Sequence, residues 1–340
     1  MTWYGSPILA LTILLAAAGG ARAQSAEEFY KGRQIQLVVG YEVGNDYDVG
    51  ARLLARFLSK QLPGHPPVIV QNMPQAAALA SANFIYARAP KDGSVMGSIS
   101  RNLPSQAVMG LPNIEADARR YNWLGATSFP GRVCVVTSDA PAQTMDEVFQ
   151  KEVLTGSVGV GSSTSIVPTV LNKVVGTRFK IIEGYRGAGD IILAMQRGEV
   201  QAGCMSLGQF RSHQDLFKAG KLHYLLRAEE SEMAELPNVP SVFDRAKTKQ
   251  QRDLMRFVFS STEFGRPYIF PPGVPKDRVQ FMREAIARAV KDPELQAEAA
   301  RMKLDMTYRP PEHLETLVTH LYDTPKETIA ELKKIAPTLR

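Results

Sequence analysis

Apolar runs of about five residues alternate with amphipathic stretches of helical period, and this alternation restricts the fold more than any other feature of the chain. Residues 35–39 are a continuous apolar-leaning run, the pattern of a strand covered on both faces. Leu54, Phe57, Leu58 and Leu62 then recur at helical spacing across residues 49–62. A second strand at 68–70, a second helix at 76–89, the tight turn Pro90-Lys91-Asp92-Gly93 and a third strand at 95–100 complete a β-α-β-α-β opening. That is half of a doubly wound α/β domain with a mainly parallel sheet.

A second unit starts near Val133. Thr144 and Glu147 have capping-box spacing. A strand at 158–161, a Gly/Ser/Thr loop, a helix at 167–175, a strand at 179–182 and a helix at 190–197 follow. The last third reads as helices at 275–290, 294–302, 312–322 and 325–335, with Pro275 and Pro325 at first-turn positions. No Pro-rich linker separates the units, so strands must cross between two lobes, a hinge geometry. The expected division is residues 24–127 with 228–340 in one lobe and 128–227 in the other. Residues 222–227 and 257–261 both qualify as the returning strand.

The first 23 residues are different material. The apolar run 8–18 is too short for a bilayer, which needs ~20 residues. Ala21-Arg22-Ala23 fits a signal-peptidase site, although the preceding residues carry no Lys or Arg. A leader cleaved after Ala23 is therefore expected. The formal net charge of +6 is spread, with bases beside acids as in Arg283-Glu284 and Lys291-Asp292, and no basic stripe suits a nucleic acid. Two cysteines, Cys134 and Cys204, stand in strand-like runs. Two readings are open: a bridge closing a ~70-residue loop, worth about 4 kcal/mol, or two small buried hydrophobes. The five histidines lack metal-ligand spacing, and the loop Gly159–Ser165 lacks both the Lys-Ser/Thr ending of a P-loop and the G-x-S-x-G elbow. No metal, cofactor or catalytic constellation is expected.

The residues from Leu37 through Gly40-Tyr41-Glu42-Val43-Gly44-Asn45-Asp46-Tyr47-Asp48 to Arg52 resemble the opening of the tripartite tricarboxylate transporter receptors, also called Bug proteins. Gln71-Asn72-Met73-Pro74, Ala89-Pro90-Lys91-Asp92-Gly93, Asn122-Trp123-Leu124-Gly125, Gly184-Tyr185-Arg186-Gly187, Arg197-Gly198-Glu199-Val200 and Pro271-Pro272-Gly273-Val274-Pro275 also fit the family, over nearly all of residues 28–322. The resemblance implies a type II periplasmic-binding-protein fold, two doubly wound α/β lobes with a hinge and an interlobe cleft. It implies a monomeric periplasmic receptor and not an enzyme. Its ligand would be a small organic carboxylate (a dicarboxylate, an aromatic acid or an amino acid), delivered to a two-subunit integral-membrane permease. A periplasmic enzyme or a sensory ligand-binding protein on the same frame is the alternative.

The family site implies carboxylate binding by backbone amides of the first βα loop and by small polar residues of a second-lobe loop, an arrangement that exploits helix N-termini. In this chain the first loop offers Tyr41 as a wall, the backbone of Gly44 and Asn45 as donors, and Asp48 as loop-orderer or plain N-cap. Ser162, Ser163 and Thr164 are the second-lobe donors, or an ordinary turn and cap. Tyr185 and Asp190 flank another strand-to-helix turn, where Asp190 also reads as a cap. The chain departs from the family where Asn45-Asp46 and Gln75-Ala76-Ala77-Ala78 replace glycines. Asp46 and Glu42 place negative charge near an anion site, which disfavours a dicarboxylate unless a cation compensates. Arg101, just past the third strand, is the candidate cation or a solvated loop residue, with Arg186 a weaker second.

Overall fold

The computed structural model describes residues 24–76, 78–128, 131–159, 162–211, 213–230, 232–233 and 235–335. The expected leader lies outside them. Strands run β1 (Ile35–Val39), β2 (Val68–Asn72), β3 (Val95–Ser98), β4 (Asn122–Thr127), β5 (Arg132–Thr137), β6 (Val153–Ser157), β7 (Phe179–Glu183), β8 (Ala202–Ser206), β9 (Leu222–Arg227), β10 (Arg266–Phe270) and β11 (Tyr308–Arg309). They form a six-stranded sheet in the order β11-β4-β10-β3-β1-β2 and a five-stranded sheet in the order β7-β6-β8-β5-β9. The α/β reading holds. Parallel β1 pairs with β2 and β3, and parallel β6 with β7 and β8. Each sheet is mixed, however, because β10 and β5 enter from the other sheet and pair antiparallel with their neighbours.

The chain crosses from β4 to β5 and returns from β9 through helix Lys249–Glu263 to β10. Neither expected return strand serves. Residues 222–227 are β9, the edge of the second sheet, and residues 257–261 are helical. Thr248 caps that helix, its Oγ1 accepting from the Gln251 N–H at 3.1 Å. Its apolar run reads as a strand because Leu254, Met255, Phe257, Val258 and Phe259 are all buried, against elements of both units. The strand expected at 158–161 lies earlier, as β6. Thr144 and Glu147 do form the reciprocal capping contacts, but over a single 3₁₀ turn, Glu147–Phe149. Pro275 is the N-cap residue of helix Lys276–Val290 and not a first-turn residue.

Cys134 and Cys204 face each other in the β5–β8 register and are bonded. One apolar core runs through both sheets: Trp123 and Ile269 of the first share it with Cys134 and Val153 of the second, with Val167, Leu171 and Val174 of helix Ser163–Val174, and with Phe257 and Leu332. Among the described residues no helix is long and apolar enough to cross a membrane.

Candidate ligand-binding site

The loop after β1 is set by one glycine and one carboxylate. Gly44 takes φ +85°, a backbone state that favours glycine, and its N–H donates to Asp48 Oδ2 at 2.9 Å. Asn45, extended at φ −68°, caps helix Asp46–Lys60 by accepting from the Tyr47 N–H at 3.0 Å. So the asparagine in the family's glycine position supplies the cap, and Asp48 orders the loop instead. Asp48 is buried and also accepts from Arg52 Nε at 3.0 Å and Asn72 Nδ2 at 2.8 Å. Burial works to raise its carboxyl, but the hydrogen bonds from Arg52, Gly44 and Asn72 outweigh that and hold it below the usual carboxylate range.

This arrangement moves the available donors. Gly44's N–H is occupied by Asp48, and the Asn45 N–H donates to Glu42 O at 3.1 Å. Among the described residues the first-turn N–H groups left without a partner are those of Asp46 and Asp48. The physical reason is that a carboxylate at the third helical position folds back over the loop and takes the donor that a ligand would need.

The second loop is built from hydroxyls. Ser162 caps helix Ser163–Val174, its Oγ accepting from the Ser165 N–H at 3.3 Å and donating to Gly159 O at 2.6 Å. Thr164 Oγ1 accepts from the Val158 N–H at 3.0 Å. The N–H groups of Ser163 and Thr164 have no partner among the described residues, so the helix start presents them outward.

Both helix starts open on one cavity of about 510 Å³, lined by Tyr41, Asn45, Asp46 and Arg101 from the first sheet and by Ser163 and Thr164 from the second. Tyr41 stacks on Tyr47 with centroids 4.1 Å apart, forming an aromatic wall. Tyr47 Oη donates to Gly265 O at 3.2 Å and accepts the Arg101 N–H at 3.4 Å, and burial pushes its pKa upward. Gly44, Asp48 and Ser162 act behind the loops and do not line the cavity. Nor do Tyr185 and Asp190, although Ala188 of the same turn does. Tyr185 packs against the second sheet's core, and Asp190 accepts from Arg186 Nε at 2.8 Å in an exposed ion pair.

Among the lining residues that the sequence did not mark are two arginines, Arg132 and Arg266. Each is the first residue of a strand that enters its sheet from the other one, β5 and β10. Only the topology reveals that position, so no sequence signal separates them from other arginines. They change the charge balance. Glu42 is exposed and outside the lining, whereas Asp46 shares the cavity with three arginines.

Comparison with known proteins bears on the family and the fold. The family model of the tripartite tricarboxylate transporter family receptor matches residues 50–333. The chain belongs to that family. A curated relative from Cupriavidus necator, the UPF0065 protein in the gbd 5′ region, is 26% identical over 308 residues, covering 88% of each chain. A TctC solute-binding protein from Polaromonas has the same fold at a TM-score of 0.69 and 21% identity, over 90% of this chain and 98% of that one. MatC from Rhodopseudomonas palustris, solved with bound malate, matches at a TM-score of 0.51 and 18% identity, over 89% and 99%. The two-sheet frame is thus that of a transporter family's solute-binding receptors.

Proposed function

We propose that this chain is a periplasmic receptor that captures a small organic carboxylate in the cavity between its sheets and delivers it to a two-subunit membrane permease. One observation carries the reading: two helix starts, one beside each sheet, present unpartnered N–H groups to the same cavity. Aligned peptide dipoles at such starts favour an anion without any formal charge. Asp46, Ser163 and Thr164 would provide main-chain donors, Tyr41 a wall, and Arg101 positive charge elsewhere in the same cavity. Malate in MatC is consistent with a carboxylate ligand. Residues 24–127 with 228–340 and residues 128–227 would be the two lobes, moving as a monomer closes on its ligand. Export fits the leader before Gln24 and the Cys134–Cys204 bridge, which persists in an oxidising compartment.

The test is a thermal-shift and calorimetric screen of the purified protein against di- and tricarboxylates, aromatic acids and amino acids. A saturable rise is expected, about 2.7 kcal/mol at a hundredfold excess over Kd, with the ligand recovered unchanged. Chemical conversion of the ligand, or no shift with any of these acids, overturns the reading.

A further inference from the structure

Many arginines of the molecule have a carboxylate partner, whereas those that share the cavity have none among the described residues. Arg52, Arg56, Arg119, Arg245, Arg256 and Arg283 all pair with carboxylates. Arg101, Arg132 and Arg266 make no ion pair among the described residues, yet all three face one cavity. Arg132 Nε donates to Thr262 Oγ1 at 2.7 Å. Arg266 is 6% exposed, its Nη2 bonds Asp305 O, and its Nε is buried without a partner. Helix Asp46–Lys60 makes room for that guanidinium with a glycine: a Cβ at Gly50 would stand 3.2 Å from Arg266 Nε. Burying unpaired like charges together is costly, and folding alone gives no reason for it.

The buried acid that touches Arg132 bonds its main chain and not its guanidinium. Glu229 Oε1 accepts the main-chain N–H of Arg132 at 2.9 Å, and its Oε2 has no partner. Burial, and then the charge of Glu263, push the Glu229 carboxyl well above its ordinary range. Burial and then repulsion from Arg101 pull Arg132 down to about 10, which still leaves it charged at neutral pH.

We propose that Arg101, Arg132 and Arg266, with Thr262, form a second anion subsite where the chain crosses between its sheets, and that it seats a second anionic group of the ligand. The inference rests on the carboxylate-receptor reading and deepens it. A single carboxylate is small beside a cavity of about 510 Å³, so one seated on the helix starts leaves the guanidiniums unmatched. A ligand charged at both ends satisfies both.

Calorimetry on the full mature chain tests this with α,ω-dicarboxylates of four to eight carbons, each beside its own monoamide, which keeps the shape and removes one charge. The diacid of the best-fitting length is expected to bind about tenfold to a hundredfold tighter than its monoamide. In Arg101→Gln that advantage should shrink about tenfold. Because the readout is a ratio, loss of folded protein does not mimic it, and Arg132→Lys is the second variant should Arg101→Gln fail to fold. Replacing one carboxylate with a sulfonate or phosphonate tells which oxyanion the subsite takes. Monoamides that equal their diacids at every length overturn the second subsite while the receptor reading stands. Failure of every acid in the series to bind, with monocarboxylates failing also, overturns both.

Discussion

The two loops that frame the cavity do the same job with different materials. The first, Tyr41 to Asn45, is locked by a buried carboxylate: Asp48 holds Gly44, Arg52 and Asn72, and Asn72 Nδ2 in turn reaches Tyr41 O at 2.9 Å. The second is neutral and held by Ser162 and Thr164 hydroxyls, on a sheet whose strands β5 and β8 are joined covalently by Cys134 and Cys204. A network centred on one charge fails as a unit when that charge is lost, because each donor is left unmatched. Hydroxyl contacts fail one at a time. The first loop therefore concentrates its order in a few atoms, while the second, with its sheet, spreads it over a staple and several weak bonds.

Substitutions separate the two designs. Replacing both cysteines with serine should cost the most, about 4 kcal/mol in urea unfolding, since the bridge joins residues 70 apart. A loss under ~1 kcal/mol would mean that the second sheet does not depend on its staple. Asp48→Ala should cost about 2–3 kcal/mol, the half-exposed Arg52 keeping it below the full value of a buried pair. Its pKa is lower folded than unfolded, so this stability is present above the ordinary carboxylate value and drains as pH falls through the native one. The Ala variant should show a flatter acid limb. Ser162→Ala removes a single cap and should cost about 1 kcal/mol. An equal loss for Ser162 and Asp48 would erase the contrast.

Glu229→Gln reports the opposite pH sign. Its native carboxyl is raised, so the parent's stability is full below the ordinary carboxylate range and declines as pH rises through the native value. Parent and variant should have matching melting temperatures in acid and diverge as pH increases, the variant the higher. Identical profiles at all pH values would show Glu229 to be ionised in the native state.

The opening β-α-β-α-β and the helices after residue 275 were legible because local period and burial agree there. The second crossing was not. β10 contains Pro267, which argues against a central strand, yet β10 lies between β3 and β4. It is tolerated because β3 pairs only with Tyr268 and Ile269, leaving the proline with β4 alone beside it. Of the residues that line the cavity, Tyr41, Asn45, Arg101, Ser163 and Thr164 stand at strand-to-helix positions that the sequence marks. The donor shift from Gly44 to Asp46 was hidden because it depends on which way the Asp48 side chain turns. Arg132 and Arg266 were hidden because strand entry is a property of topology. Ala76 and Ala78 stand at φ +52° and +73°, so the backbone keeps left-handed turns in a stretch where the family favours glycine.

Helix Lys249–Glu263 has a mechanical consequence. It touches helix Ser163–Val174 on one side and helices Leu103–Val108 and Pro311–Tyr322 on the other, so it belongs to neither sheet alone. Interlocked side chains at such contacts give way by small sliding steps rather than by free rotation. Any opening and shutting of this molecule would accordingly be a slip of packed faces, with a short stroke set by the knobs and grooves of a single shared rod.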